Sequence, residues 1–298
     1  MAELMNTKEV ATYLRIKERK VYELVRDGLI PFTRVTGKYL FPRHLIDGWL
    51  AQSTALPRGV GPHPLRPQAP PVVAGSHDPL LEWALRESHC GLALMGGGSL
   101  DGLRRLGAGE AQLCGMHVLD AKSGAYNVPA LEAGLPYLDI VALEWAWREQ
   151  GLVVAAGNPR GLKGIADLAA KGVTLVERQP ESGSQILLEH LLDKAKVASS
   201  SLVRLPSPAL SESDLALAIA ERKADTGVAI RAVAVQYGLD FIPLARERYD
   251  LVLRRYDYFQ PTVQQLLAFA RSERFRTRAD DMGGYDIERL GNVVYNSP

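Results

Sequence analysis

Two cysteines in 298 residues are too few for a disulfide framework. Cys90 and Cys114 lie inside apolar stretches and lack metal-ligand spacing, so both are expected as buried thiols in a reducing compartment. Long apolar runs are also missing. No segment approaches the ~18 uninterrupted apolar residues of a membrane span, and the start "MAELMNTKEVATYL" becomes charged at once, unlike a secretory signal. A cytoplasmic protein with no membrane partner is the expectation. Nucleotide chemistry lacks its signatures too. Gly96, Gly97 and Gly98 form a glycine-rich loop, but the Lys and Ser/Thr of a P-loop and the spaced dinucleotide fingerprint are absent.

Net charge is only +1, yet it is unevenly spread. Residues 1–50 hold nine Lys and Arg against six Asp and Glu, and Arg58 and Arg66 bring residues 1–71 to +5, which leaves the remainder at −4. A basic head on a mildly acidic body suits a polyanionic partner for the head. Between residues 51 and 71, "AQSTALPRGVGPHPLRPQAPP" carries six of the eighteen prolines and reads as a linker. The length allows two or three compact units, since a single core stops growing near roughly 250–300 residues.

The head, residues 1–50, reads as helix, turn, helix, hairpin, helix. Asn6 or Thr7 can cap the first helix, whose Val10, Ala11 and Leu14 share one face. "KERKVYELVRDG" forms the second, with Val21, Leu24 and Val25 inward and Gly28 as its stop. "IPFTRVTGKYLF" signals a hairpin turning at Thr36-Gly37, and "RHLIDGWL" a last helix presenting Leu45, Ile46, Trp49 and Leu50 to the core. Two helices at this spacing followed by a hairpin can place the second helix in a DNA major groove and the wing against phosphates. The ordered set over residues 3–50 resembles the excisionase-type, MerR-like winged helix-turn-helix domains. That resemblance implies a double-stranded DNA partner, with Lys17, Arg19 and Lys20 facing it from the second helix and Arg34 and Lys38 from the wing. Tyr22 fits either phosphate binding or packing under the wing.

From Val72 short apolar strands alternate with helices, which implies a mostly parallel sheet flanked by helices. In such folds ligands collect at strand ends where helix N-termini point. Ser76 follows "VVAG", Ser99 follows "LMGGG", and "RQPESGSQILLEH" at 178–190 sets Arg178, Ser182, Gly183 and Ser184 ahead of an amphipathic run. Ser182 or Ser184 can be an ordinary N-cap; alternatively the free N–H groups, helix dipole and hydroxyls form a seat for an anion. Recurrence of the pattern at three helix starts favours the seat. Residues 138–157 and 247–255 can carry the chain between two lobes, the second lobe spanning roughly 155–246, and residues 262–286 would finish the first.

"GSHDPLL", "GGGSLDGLRRLGAGEAQLCGMHVLD", "RQPESGSQ" and "ADTGVAIRAVAVQYGLDFIPLARERYDLV" together resemble the type II periplasmic-binding-protein fold, and more narrowly the binding domains related to molybdate- and tungstate-binding proteins. The resemblance implies an α/β two-lobed body behind an N-terminal winged helix-turn-helix domain, and a small ligand in an interlobe cleft held by neutral donors. Ser76 and Ser99 would serve the first lobe, Ser182, Gly183 and Ser184 the second, with Ser213 and Thr226 at an analogous helix start and strand edge. Arg178 can add formal charge, whereas Asp78, Asp101 and Asp225 would repel an anion unless paired. His77 and His117 read as hydrogen-bonded structural histidines. No cofactor is implied beyond bound molybdate or tungstate as effector. The expected protein is a homodimeric one-component transcriptional regulator rather than an enzyme; an enzyme of molybdenum-cofactor or small-molecule metabolism, or a sensor of an organic ligand, are the alternatives. Ser76, His77 and Asp78 have hydrolase residue types, but consecutive residues rarely orient as nucleophile, base and orienter, and no Gly-x-Ser-x-Gly elbow occurs.

Overall fold

The computed structural model describes residues 4–35, 37–53, 69–136, 138–169 and 172–298. Backbone contacts divide the chain into two compact units, Met1–Arg66 with Pro136–Leu138 and Pro67–Leu135 with Asp139–Pro298.

In the first unit β1 (Leu4–Met5) leads into α1 (Thr7–Tyr13), followed by α2 (Glu18–Arg26), β2 (Thr33–Val35), β3 (Lys38–Pro42) and α3 (Arg43–Ser53). Asn6 is the N-cap of α1: its side chain accepts from Lys8 and Glu9 N–H, while Glu9 accepts from Asn6 N–H in a capping box. The chain turns into α2 through a left-handed Arg15, and Gly28 ends that helix at φ +67°. Val10, Ala11, Val21, Val25, Ile30, Phe41 and Ile46 form the core, with Leu14, Leu24 and Trp49 packed against it. Two expectations change here. The hairpin gains a third strand, because β1 pairs β3 antiparallel through Leu4–Pro42 and Met5–Phe41. Leu50, expected inward, is 38 % exposed, since α3 turns its last described apolar positions past the small core. Thr36 of the expected turn and residues 54–68 of the expected linker lie outside the described residues, while α3 extends to Ser53, beyond the expected end at 50.

The second unit runs β4 (Val72–Gly75), α4 (Pro79–Glu87), β5 (Ala93–Gly96), α5 (Ser99–Ala108), β6 (Leu113–Met116), α6 (Val128–Gly134) and β7 (Ile140–Val154). It continues with β8 (Thr174–Leu175), α7 (Gly183–Lys194), β9 (Val203–Arg204), α8 (Glu212–Ala220), β10 (Thr226–Ile230), α9 (Arg231–Gln236) and β11 (Asp240–Arg254). It closes with α10 (Arg255–Tyr258), α11 (Pro261–Ala270), α12 (Glu273–Met282), β12 (Tyr285–Asp286) and β13 (Val293–Asn296). One sheet orders them β5-β4-β6-β11-β7-β10-β8-β9, with β12 and β13 also on β7. The sheet is mixed rather than mostly parallel. β4 pairs parallel with β5 and β6, and β8 with β9 and β10, but β6 pairs antiparallel with β11, and the central β7 and β11 pair antiparallel along their whole length.

Those two strands have 15 residues each, about 50 Å at ~3.3 Å per residue, so they pass through both lobes. The second crossing is β11 from Asp240 to Arg254, and the stretch at 247–255 expected to carry the chain back forms its C-terminal part. Register shifts at Pro243/Ala245 and Tyr249/Asp250 bend β11 where it changes lobe. The first lobe packs Leu80, Leu81, Leu113, Trp145, Leu251, Leu266 and Phe275 into one core, to which α11 and α12 contribute as expected. The second gathers Leu152, Leu175, Leu188 and Val228 on one face and Val176, Leu215 and Ala229 on another. Both cysteines are free and buried, and burial pushes the Cys114 thiol pKa up.

Candidate functional site

Two helix starts from opposite lobes meet at one seam. In the first lobe β5 ends in the glycine loop, and Gly98, at φ +91°, is the N-cap of α5 and supplies no side-chain cap. In the second lobe Ser182 is the N-cap of α7, its Oγ accepting from Gln185 N–H at 3.2 Å, so the ordinary capping role falls to Ser182 and not to Ser184. The two ends abut. A Cβ at Gly98 would meet the Glu181 carbonyl oxygen at 3.5 Å and Ser182 Cα at 3.7 Å. One at Gly183 would stand 2.5 Å from His117 Cε1, from Nδ1 and from the His117 carbonyl oxygen, so only glycine permits this approach. Arg104 of α5 adds an ion pair to Glu181 at 3.1 Å.

Beneath the helix ends the polar side chains form one continuous buried chain. Ser76 Oγ and Ser99 Oγ share a hydrogen bond of 2.8 Å, and Ser99 Oγ accepts from His117 N–H at 3.1 Å. His117 Nδ1 lies 2.7 Å from Glu247 Oε2, and its ring stacks on Tyr249 at 5.9 Å. Gln150 Nε2 donates to Glu247 Oε1 at 3.0 Å and to Ser184 Oγ at 3.2 Å. Ser184 Oγ in turn donates to Glu212 Oε1 at 3.0 Å, and Glu212 lies 3.9 Å from Arg178 Nη1. Every residue named in this chain is at least nine-tenths buried.

Charge in the seam is balanced by proximity. Arg148, 1 % exposed, donates to Asp78 Oδ2 at 2.9 Å and to Glu247 Oε1, with its guanidinium 4.4 Å from the Tyr249 ring centroid. Burial opposes its charge, but Glu247 and Asp78 outweigh that and raise its pKa. Burial likewise works to raise the Glu247 carboxyl, yet Arg148 and then His117 hold it down at about 2. Asp78 also accepts from Leu81 N–H, Trp145 Nε1 and Tyr285 OH.

The structure therefore brings Ser76, Ser99, Ser182, Gly183, Ser184 and Arg178 to one region and places Thr226 elsewhere. Thr226 is buried at the far end of β10, opposite Val154, with its hydroxyl bonded to the Val153 carbonyl. The seam lies at the other end of that strand, where Ile230 N–H donates to Glu212. Ser213 sits half-buried in the first turn of α8, whose cap is Ser211 with Asp214 in a capping box. Arg178 is engaged as well, donating to the Ala209 and Leu210 carbonyls. The three feared aspartates are paired: Asp78 with Arg148, Asp101 with Arg105 at 2.7 Å, Asp225 with Arg160 at 2.8 Å. Ser76, His77 and Asp78 turn to separate partners, His77 to Glu82 at 2.7 Å, so they form no triad.

Sequence reading missed Arg148, Gln150, Glu212 and Glu247, although a signal existed. "EWAWREQG" and "RERYD" set charged residues inside long apolar strands, and a fully buried charge is rare unless paired. Alternation puts Arg148 and Gln150 on one face of β7.

In the N-terminal unit the five basic positions are all exposed. Lys17 is the N-cap of α2, and the Arg19 and Lys20 side chains are 90 % and 57 % exposed, both within reach of Glu23. Arg34 and Lys38 flank the hairpin turn, and Arg34 lies over the Tyr39 ring. Tyr22 is exposed and meets Tyr39 edge-on, so it belongs to the aromatic cluster beside the wing.

Residues 82–271 match the PBP superfamily domain, and residues 4–54 match the helix-turn-helix domain. A relative from Bacillus subtilis (strain 168), the uncharacterised protein YvgK, is 25 % identical over 96 % of this chain and 96 % of its own. An uncharacterised protein of the ferredoxin 2Fe-2S gene 5' region of Clostridium pasteurianum is 32 % identical over 27 % of this chain and 72 % of its own. Among solved structures, a Clostridium perfringens substrate-binding protein with bound phosphate is similar in fold, with a TM-score of 0.53 at 12 % identity, covering 74 % of this chain and 98 % of that one.

Proposed function

The chain belongs to the PBP superfamily, and on that premise we propose that it is a DNA-binding regulator whose two-lobed body senses a small oxyanion between its lobes. The helix-turn-helix unit would carry DNA through Lys17, Arg19, Lys20, Arg34 and Lys38, and the body would carry the signal. The observation that carries the reading is the meeting of two helix N-termini, α5 and α7, over the Ser76 and Ser99 hydroxyls. Each N-terminus bears roughly half a positive charge, so two of them repel unless something negative lies between. A small anion at the seam would join the lobes and favour the closed body. The reading is supported further by the Clostridium perfringens protein, which has the same fold and holds phosphate; the sequence resemblance adds molybdate and tungstate to the class.

Ligand can change DNA affinity only through its differential affinity for two states of the protein. Closure supplies such a pair of states, and a homodimer would convert it into the spacing of two heads on paired half-sites. The test is a panel of oxyanions scored by thermal shift, followed by the best binder in a DNA-binding titration over a range of salt. Stoichiometric stabilisation and altered DNA affinity support the reading. DNA affinity indifferent to every panel member would remove it.

A further inference from the structure

Resting on the DNA-binding reading above, we infer that the crease between α2 and the wing reads thymine, with the Tyr22 and Phe32 rings packing against its 5-methyl group in the major groove. Two observations of the head carry this.

The first is an aromatic surface that the small core leaves outside. Phe32 and Arg34, two positions apart, lie on one face of the wing, and Tyr39 is the cross-strand partner of Arg34. Phe32 meets Tyr39 edge-on at 5.2 Å, and Tyr22 of α2 meets the same ring at 6.2 Å, so helix and wing share one cluster. Tyr39 packs against the head core, whereas Tyr22 and Phe32 are 50 % and 39 % exposed. A lone exposed ring is ordinary. Two rings seated on a third form an apolar patch of the kind that marks a contact surface.

The second is what surrounds the patch. Arg19 precedes Tyr22 by three positions and is therefore its neighbour on the helix surface. Arg34 stands 5.7 Å from the Tyr39 ring centroid, and Arg19, Lys20, Arg34 and Lys38 are all exposed. An apolar patch between cations suits a polyanion that displays apolar groups; an apolar protein surface would leave those cations without partners. In duplex DNA the base edges in the major groove are polar except for the thymine methyl, which accepts apolar and aromatic contacts. With α2 in that groove, Tyr22 lies on the helix flank that faces the wing, and Phe32 at the root of the wing closes the same crease.

The test uses the full chain. The tightest-binding duplex is selected from a random-sequence library and rebuilt with deoxyuridine at each thymidine in turn, which removes the methyl and keeps the hydrogen-bonding pattern. Wild-type affinity should fall about fourfold for each contacted methyl. The double variant Tyr22→Ala, Phe32→Ala should bind the thymidine and deoxyuridine duplexes equally, and Tyr22→Phe should keep the wild-type ratio, because the ring and not its hydroxyl makes the contact. A selected site without thymine, or equal wild-type affinity for the two duplexes, overturns the inference while the DNA-binding reading stands. An undiminished ratio in the double variant overturns the assignment to these two rings. Absence of binding to any duplex overturns both readings. Should the double variant not fold, Tyr22→Ala and Phe32→Ala taken singly decide by the same ratio.

Discussion

Gly183→Ala is the sharpest perturbation of the seam. The added methyl carbon would stand 2.5 Å from two ring atoms of His117 and from its carbonyl oxygen, whereas carbon contacts settle near 3.5–4.0 Å. About 1 Å of separation must therefore open between α7 and the loop after β6. Rotating the ring away does not remove the clash, because the carbonyl is backbone and the ring is held between Glu247 and Tyr249. Overpacking of this kind costs about 1–3 kcal/mol, and it falls on the closed arrangement because the obstructing atoms belong to the facing lobe. Affinity for a ligand that needs closure should fall by about tenfold or more. Calorimetry with phosphate measures this, and circular dichroism checks that secondary structure is retained. A variant that binds phosphate as tightly as the wild type would show that closure against His117 has no part in binding.

Removing one partner from the central ion cluster should be severe: Arg148→Met leaves Asp78 and Glu247 buried without their cation, and urea unfolding should show a loss of about 3–5 kcal/mol. Acid stability should follow Glu247. Its folded pKa of about 2 lies below the ordinary 4.5, so its contribution is complete above that ordinary value and is lost as pH falls toward 2; Glu247→Gln should flatten that limb of the stability–pH curve. Asp250 has the opposite sign, because burial raises its carboxyl to about 6 despite Arg248, so stability it lends below the ordinary carboxylate range is lost as pH rises through 6, and Asp250→Asn should abolish that slope. In the head, Arg19→Ala and Lys20→Ala should each reduce the slope of DNA affinity against salt by roughly one with little change in melting temperature, since both side chains are exposed. A slope equal to that of the wild type would remove them from the interface.

The head was legible because each of its elements announces itself locally. Asn6 with Glu9 three residues on is a capping box in sequence and in structure, and Gly28 stops α2 where the pattern ends. The third strand was not legible, because two residues, Leu4 and Met5, carry no periodicity and gain their partner only when β3 is in place. In the body, Ser76, Ser99 and the Ser182–Ser184 cluster could be found from their places after strands and before helices. Thr226 illustrates the limit of that reasoning. It stands at a strand edge as expected, but an antiparallel β10 sends its N-terminal end away from the seam, and strand direction is a property of the whole sheet. The charged centre depends on tertiary pairing in the same way: Arg148 meets Asp78 from 70 residues away and Glu247 from 99. Burial of these groups is tolerable only because all three arrive together, and no local pattern records that.

The central claim places a small anion between Ser76, Ser99 and the first amides of α7. An anomalous difference map from crystals of the full chain grown with arsenate tests it most directly. The account predicts one strong peak within hydrogen-bonding distance of Ser99 Oγ and of the Gly183 or Ser184 amide nitrogen. A peak elsewhere, with none at the seam under conditions where calorimetry shows saturation, would contradict it.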